Sequence, residues 1–172
     1  MVTTSDSATR PYTLAAGAGE AIWYVNNRAT ILATAAQTGG AFGLVHLVHM
    51  EVAIGHGPPL HIHHAEDEAF WILEGQLTVS CGDEEFAAGP GAFVYTPHGA
   101  PHTFRLEGNA PAKLLVLLTP GGGEGFFRDA GRPAAGPGLP LPAPPDVAAL
   151  ATVAARYHQE FIGPPLESTP RA

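Results

Sequence analysis

The sequence has little cysteine and few charged residues. Its 172 residues include one cysteine, Cys81, and charged side chains make up 14% of the chain, against about 25% in an average soluble protein. A single thiol excludes an internal disulfide and suits a reducing compartment, so we expect a cytoplasmic protein. We interpret Cys81 as a small residue near the end of a strand, not as a reactive thiol.

Basic residues are scarce as well. The chain has 8 Lys and Arg against 16 Asp and Glu, which gives a formal net charge of −8. Binding to nucleic acid needs clustered Lys and Arg that contact phosphates, and here the basic residues are scattered. We therefore expect no nucleic-acid partner.

Long apolar runs are also missing. No stretch approaches the roughly 18 apolar residues that a membrane span requires, and the opening residues MVTTSDSATR contain no apolar segment of the signal-peptide type. We expect no membrane partner and interpret residues 1–10 as a flexible tail. The length is typical of one domain.

Glycine and proline, by contrast, are plentiful, with 21 and 17 copies. They separate a series of short, alternating apolar segments at regular spacing, a pattern typical of an antiparallel sandwich or barrel. We therefore predict an all-β fold whose barrel spans residues 11–128.

The C-terminal part has a different composition. Residues 129–145 are predicted to form a Pro-rich linker, and residues 146–172 a helix followed by a tail. The helix is expected from Asp146, a suitable N-cap, to Phe161. We expect it to pack on the outside of the barrel or on a partner subunit.

One stretch, GHGPPLHIHHAEDEAFWILEG at residues 55–75, concentrates residues that can bind metal. His61 and His63 are separated by one residue, so in a strand both imidazoles point to the same face. Glu68 lies at an odd separation from His63 and would point to the opposite face of an unbroken strand. We therefore predict a turn at residues 64–67, with Glu68 returning on a second strand and facing the histidines across a hairpin.

A fourth candidate ligand lies in the stretch GAFVYTPHGAPH at residues 91–102. Pro97 and Gly99 predict a sharp turn, and Pro101 keeps the chain extended as His102 enters a new strand. Three imidazoles and one carboxylate would form a mixed nitrogen and oxygen site that leaves about two positions open on an octahedral metal. Such a site suits Fe(II), Mn(II), Ni(II) or Co(II), and Zn(II) also fits, so the ligands do not fix the metal.

The spacing of these residues resembles the two motifs of the cupin superfamily. The first motif is matched by Gly55, His61, His63, Glu68 and Gly75. The second is matched by Gly91, Pro97, Gly99 and His102. Leu106 departs from the asparagine that the family often has there, but that asparagine is not a metal ligand. The likeness covers about residues 40 to 120 and is greatest to small quercetinase-like cupins with a single barrel.

This resemblance implies a jelly-roll barrel that acts as a metal-dependent dioxygenase on a flavonol or another enediol or hydroxy-ketone compound. It implies that His61, His63, Glu68 and His102 bind the metal. Glu68 would also be catalytic, because it can accept a proton from the substrate. The implied partners are a small-molecule substrate, dioxygen and a second copy of the chain in a homodimer.

Two other functions remain open. The metal could act only as a Lewis acid in an isomerase, cyclase or lyase that does not use dioxygen. Alternatively, the barrel could bind a small molecule without catalysis, since fold alone does not decide function.

Aromatic residues near the motifs are candidates for the substrate pocket. Phe70 and Phe104 share strand parity with Glu68 and His102, so both are expected to line the cavity. Trp23, Tyr24 and Tyr95 are weaker candidates. The remaining histidines in or near these strands and turns are interpreted as ordinary strand or loop residues, not ligands: His46, His49, His56, His64 and His98.

Overall fold

The computed structural model describes residues 9–49, 57–108 and 110–166. It contains twelve strands in two antiparallel sheets, and three helices, within these residues. The all-β jelly-roll barrel with a C-terminal helix that the sequence predicts is confirmed. Gly55 and His56 of the first motif lie outside the described residues.

The elements follow one another along the chain as β1 (Glu20–Tyr24), β2 (Asn27–Ala33), α1 (Ala35–Thr38), β3 (Gly43–His49), β4 (Leu60–His63), β5 (Asp67–Glu74), β6 (Gln76–Cys81), β7 (Glu84–Ala88), β8 (Phe93–Thr96), β9 (His102–Glu107), β10 (Ala112–Thr119), α2 (Glu124–Ala130), β11 (Arg132–Pro133), α3 (Val147–Arg156) and β12 (Gln159–Gly163). One sheet has the order β11-β1-β2-β3-β10-β5-β8, and the other has the order β12-β4-β9-β6-β7.

The core lies between the two sheets. Along β10, buried and partly exposed residues alternate, as expected for a strand with one face toward the interior. Leu114 and Val116 of β10 meet Ile72 of β5 and Val79 of β6 in this core. Complete burial of each such side chain contributes roughly 1.5–3 kcal/mol to stability.

The path between β4 and β5 differs from the predicted hairpin. β4 pairs with β9 and β12, whereas β5 pairs with β10 and β8 in the opposite sheet. After a bend at residues 64–66 the chain therefore crosses to the facing sheet instead of returning beside β4. Glu68 does face the histidines, as predicted. It faces them across the barrel interior and not across a hairpin. The hairpin prediction was wrong, because β4 pairs with β9 and β12 and leaves β5 to pair in the other sheet.

The C-terminal helix is shorter than predicted. It begins after Asp146, whose carboxylate accepts a hydrogen bond from the backbone of Ala149 at 3.0 Å, so the predicted N-cap is present. It ends at Arg156, and His158 adopts a positive φ of 56° that no helix can continue. The chain then forms β12 at residues that the helix was predicted to include. The predicted limits of the tail, barrel, linker and C-terminal unit stay a prediction.

The Pro-rich segment is held by hydrogen bonds to β1 and to the turn between β1 and β2. The indole Nε1 of Trp23 donates a hydrogen bond to the carbonyl of Gly138 at 2.8 Å. The backbone N–H of Ala143 donates to Oδ1 of Asn26 at 3.0 Å. We call residues 138–145 the strap.

No helix in the described part of the chain is long and apolar enough to cross a membrane.

Candidate metal centre

Four side chains converge inside the barrel from both sheets. His61 and His63 come from β4, His102 from β9, and Glu68 from β5. One donor atom from each lies within 4.8 Å of the donor atoms of the other three. All four residues are buried, with exposures between 1% and 8%. The structure therefore brings together the four ligands that the sequence predicts, in a cluster that could hold a metal ion.

Pairing between β4 and β9 sets the separation of the histidines. His61 and His102 are directly opposed in this pair, and their ring centroids lie 4.3 Å apart. His63, two residues along β4, presents its ring 5.2 Å from each of the other two rings. The alternation of side chains along β4 thus places His61 and His63 on the same face, and the pairing of β4 with β9 places His102 beside them.

The loops next to these strands are held tightly. A Cβ atom at Gly57 would lie 1.5 Å from the carbonyl oxygen of Phe104, so only glycine fits there. Thr103 donates a hydrogen bond to the carbonyl of Pro58 at 2.7 Å. Gly99, with a positive φ of 78°, donates its N–H to the carbonyl of His63 at 2.8 Å. These contacts fix both motif turns against the strands that carry the ligands.

Hydrogen bonds orient two of the imidazoles. His61 Nδ1 lies 2.8 Å from the carbonyl oxygen of Pro59, and His102 Nδ1 lies 3.0 Å from that of Ala100. Since a carbonyl can only accept, each Nδ1 carries the hydrogen. This arrangement turns Nε2 of both rings toward the cluster, where each can act as a ligand.

His63 is oriented in a different way, by a carboxylate. Its Nδ1 lies 3.4 Å from Oε1 of Glu66, which is longer than an ordinary hydrogen bond. Both atoms are buried and have no hydrogen-bond partner within the described residues. A small shift would join them, so Glu66 is placed to hold the hydrogen of His63 on Nδ1 and turn its Nε2 toward the cluster.

Glu68 completes the cluster from the facing sheet. Its Oε2 lies 3.0 Å from His102 Nε2 and 3.8 Å from His63 Nε2. In their neutral and ionised forms, the imidazoles and the carboxylate direct lone pairs toward the same buried point. Such a convergence of acceptors can be satisfied by a proton or by a metal ion, and three nitrogen donors with one oxygen donor suit a divalent transition metal.

The pKa values follow from burial and from the neighbouring charges. Burial, and then the proximity of His102, lower the pKa of His61 to about 3, so this imidazole is neutral at pH 7. Burial opposes ionisation of Glu68, but the charge of a protonated His63 and the contact with His102 Nε2 outweigh it and lower the pKa of Glu68. Burial also opposes a charge on His63, yet Glu68 and Glu66 together raise the pKa of His63. Glu68 is therefore ionised and ready to bind a cation.

A cavity of about 590 Å³ opens beside the cluster, within the usual range for small-molecule sites. Phe70 and Phe104 line it, as the sequence predicts, and their rings meet edge to face with centroids 5.7 Å apart. Apolar side chains from the seven-stranded sheet and from α2 and α3 cover much of the remaining wall: Leu47, Val116, Leu118, Phe126, Phe127 and Leu150.

Three polar residues near the cluster were missed or underrated by sequence reasoning. The sequence predicted that Glu66 lies in a turn. The available signal for a further role was the run of three acidic residues, EDE, that begins with Glu66. Gln159 was placed in a helix, and it lines the cavity from β12. Tyr24, rated a weak candidate, also lines the cavity. Burial and the charge of Glu68 raise the pKa of Tyr24, so its hydroxyl stays protonated.

The other histidines that the structure describes take no part in the cluster. His64 faces outward and contacts Glu160 at 2.9 Å, and His98 contacts Asp67 at 2.7 Å. His46 lies partly buried on β3. The side chain of His49 and the whole of His56 lie outside what the structure describes, so their interpretation stays a prediction.

The chain is similar in sequence to several known proteins. A family model described as "Cupin domain" matches residues 48–118. A quercetin 2,3-dioxygenase from Bacillus subtilis (strain 168) is 32% identical over 123 residues, which are 72% of this chain and 35% of that protein. The tetracenomycin polyketide synthase protein TcmJ from Streptomyces glaucescens is 28% identical over 89 residues, 52% of this chain and 58% of that protein.

Among solved structures, a nucleoside dehydratase from Streptomyces matches with a TM-score of 0.50 and 12% identity, covering 64% of this chain and 83% of that one. At this identity the match supports the fold alone. The chain spans only about a third of the length of the quercetin dioxygenase.

Proposed function

The chain belongs to the cupin superfamily and resembles quercetinase, and from that premise we propose that it is a metal-dependent dioxygenase. The proposed substrate is a small aromatic or enediol compound, such as a flavonol, with a hydroxyl next to a carbonyl. The observation that supports this most strongly is the cluster of three histidines and Glu68 beside an apolar cavity of about 590 Å³.

His61, His63, Glu68 and His102 would hold the metal, which would be Fe, Mn, Ni or Co, with Zn also compatible. When bound, such an ion supplies open coordination positions, Lewis acidity and, if it is redox-active, a route for electrons to dioxygen. The chain's own groups would do the rest. Phe70 and Phe104 would hold the apolar body of the substrate.

Glu68 is the proposed catalytic base. It is ionised in the buried cluster, because its neighbours lower its pKa, and it lies where the hydroxyl of a substrate at the cluster would approach. It could therefore accept the hydroxyl proton. The substrate would supply the electrons that reduce dioxygen, so no further reductant is required.

The test combines elemental analysis of the purified protein with oxygen uptake on a panel of flavonols and other enediols. We expect near-stoichiometric Fe, Mn, Ni or Co and uptake that depends on substrate. His46→Ala serves as a control, since His46 lies outside the cluster, and should retain both properties. Metal without uptake would favour an isomerase, cyclase, lyase or binding role, and absence of metal would overturn the whole proposal.

We also propose that two copies of the chain pair through the outer face of the seven-stranded sheet. Three aromatic side chains on this face are at least 50% exposed: Trp71 of β5, and Phe93 and Tyr95 of the edge strand β8. The rings of Trp71 and Phe93 lie 6.4 Å apart and form a continuous aromatic surface. Exposed apolar surface beside an unpaired strand edge is typical of an interaction site.

A further inference from the structure

Strand β12 forms one wall of the candidate site. It is antiparallel to β4, with Gln159 opposite His63 and Phe161 opposite His61. Directly opposed residues of an antiparallel pair place their side chains on the same face, with Cβ atoms about 4.5–5.5 Å apart. Since the two histidines face the interior, Gln159 and Phe161 face it too.

The burial and ring contacts of β12 agree with this register. Gln159 is buried, whereas Glu160 and Ile162 are exposed on the opposite face. The ring of Phe161 meets that of His61 at a centroid distance of 6.3 Å and an angle of 74°. On the outer face, Glu160 contacts His64 at 2.9 Å, and both side chains are exposed to solvent.

The side chain of Gln159 lines the cavity, and its amide has no protein partner among the described residues. The residue is 6% exposed and lines the cavity, and no hydrogen bond joins its side chain to another residue in the part of the chain that the structure describes. An amide offers two N–H donors and one carbonyl acceptor. Because buried amides are normally hydrogen-bonded, this capacity is available to a molecule that fills the cavity.

We propose that Gln159 is a positioning residue whose amide hydrogen-bonds the polar edge of a small molecule bound at the four-donor cluster. The inference rests on the proposed function only in that the cluster must hold a metal. Gln159 lies beside His63 on one wall, and Phe70 and Phe104 form an apolar surface elsewhere in the same cavity. The site thus selects a ligand with an oxygen-bearing edge toward β12 and an apolar body away from it.

The experiment uses the full chain loaded with Co(II), whose visible absorption reports changes in coordination. The probes are azide and maltol, a hydroxy-ketone that chelates metals. Gln159→Met removes the hydrogen-bonding groups at similar size, and Glu160→Met makes a matched change on the exposed face of the same strand. Gln159→Asn keeps the amide on a shorter side chain, in case the methionine variant does not fold.

We expect all three variants to retain Co(II). Gln159→Met should weaken the binding of both probes about three- to tenfold, the effect of losing one hydrogen bond. Gln159→Asn should give a smaller loss, and Glu160→Met should match the unsubstituted protein.

Three results would overturn the inference. These are unchanged probe affinity in the Gln159 variants, an equal loss in Glu160→Met, or loss of Co(II) from the Gln159 variants alone, which would assign the residue to metal binding or folding. None of these measurements uses oxygen uptake, so the inference and the dioxygenase proposal can fail separately. An unsubstituted chain that binds no metal would overturn both.

Discussion

At the scale of single residues, the cluster depends on four side chains that have no equivalent substitutes nearby. The donor atoms of His61, His63, Glu68 and His102 lie within 4.8 Å of one another, whereas His64 and His98 point to the outside and contact other groups. A neighbouring histidine cannot replace a lost ligand without a shift of strand register, which would turn every side chain of β4 to the other face.

Removal of one ligand should therefore release most of the metal. We expect His63→Ala or Glu68→Ala to lower the bound metal, measured by elemental analysis, to a small fraction of that in the unsubstituted protein. His98→Ala, which removes an exposed histidine, should leave the metal content unchanged. Full retention of metal by both ligand variants would contradict the assignment.

Glu66 should tune the affinity without binding the metal itself. Its Oε1 lies 3.4 Å from Nδ1 of His63, and carboxylates in this position orient the ligand and raise its basicity. We expect Glu66→Ala to weaken metal binding about 10- to 100-fold, measured by competition with a coloured chelator, and Glu66→Gln to weaken it less. The exposed Glu74→Gln provides a control, and unchanged affinity in Glu66→Ala would show that the contact has no such role.

At the scale of elements, the close approach of the 57–59 segment to β9 positions β4. A Cβ at Gly57 would meet the backbone oxygen of Phe104 at 1.5 Å, so the backbone itself would have to move. We expect Gly57→Ala to lower both the melting temperature and the metal affinity, since β4 carries two ligands. Gly136→Ala, at a position where a Cβ meets nothing within 4 Å, is the matched control. A melting temperature equal to that of the control would refute the argument.

The strap is a second element whose placement can be tested. One of its two side-chain anchors is the hydrogen bond from the N–H of Ala143 to Asn26, and Ala143 with its flanking prolines lines the cavity. We expect Asn26→Ala to speed hydrogen exchange in residues 138–145, because opening costs less once this bond is lost. Exchange in β6, which contributes no residue to the cavity wall, should not change. Equal exchange of the strap in both proteins would show that the anchor contributes little.

At the scale of the whole molecule, the aromatic surface on β5 and β8 is exposed to solvent. Monomeric proteins rarely expose a continuous apolar surface of this kind. It faces away from the cavity, so pairing of two copies there would leave the metal site accessible. Charge also matters at this scale, since a formal net charge of −8 favours an apolar contact surface over a charged one between identical copies.

We expect Phe93→Glu to convert the proposed dimer to a monomer, measured by light scattering during size-exclusion chromatography. Phe86→Glu is a matched control, because Phe86 is an exposed phenylalanine on the other sheet. The substitution should leave metal content unchanged in both variants. A monomeric unsubstituted protein, or a dimer that persists in Phe93→Glu, would exclude pairing through this face.

The sequence by itself determined the features that depend on local spacing. Alternating apolar residues and regular turns predicted the antiparallel strands that form the two sheets. The interval between His61 and His63 placed both on one face, and parity placed Phe70 and Phe104 along the cavity wall. These predictions held because the period of a strand is a local property of the backbone.

Only the tertiary structure decided which strands pair and what surrounds the ligands. The crossing from β4 to the facing sheet, the pairing of Gln159 with His63, and the burial of Glu66 all depend on contacts between distant parts of the chain. The sequence of residues 157–161 is compatible with a helix, and pairing with β4 outweighs that local preference. Strand pairing is selected by the packing of the whole barrel, so it cannot be inferred from the pattern within any one segment.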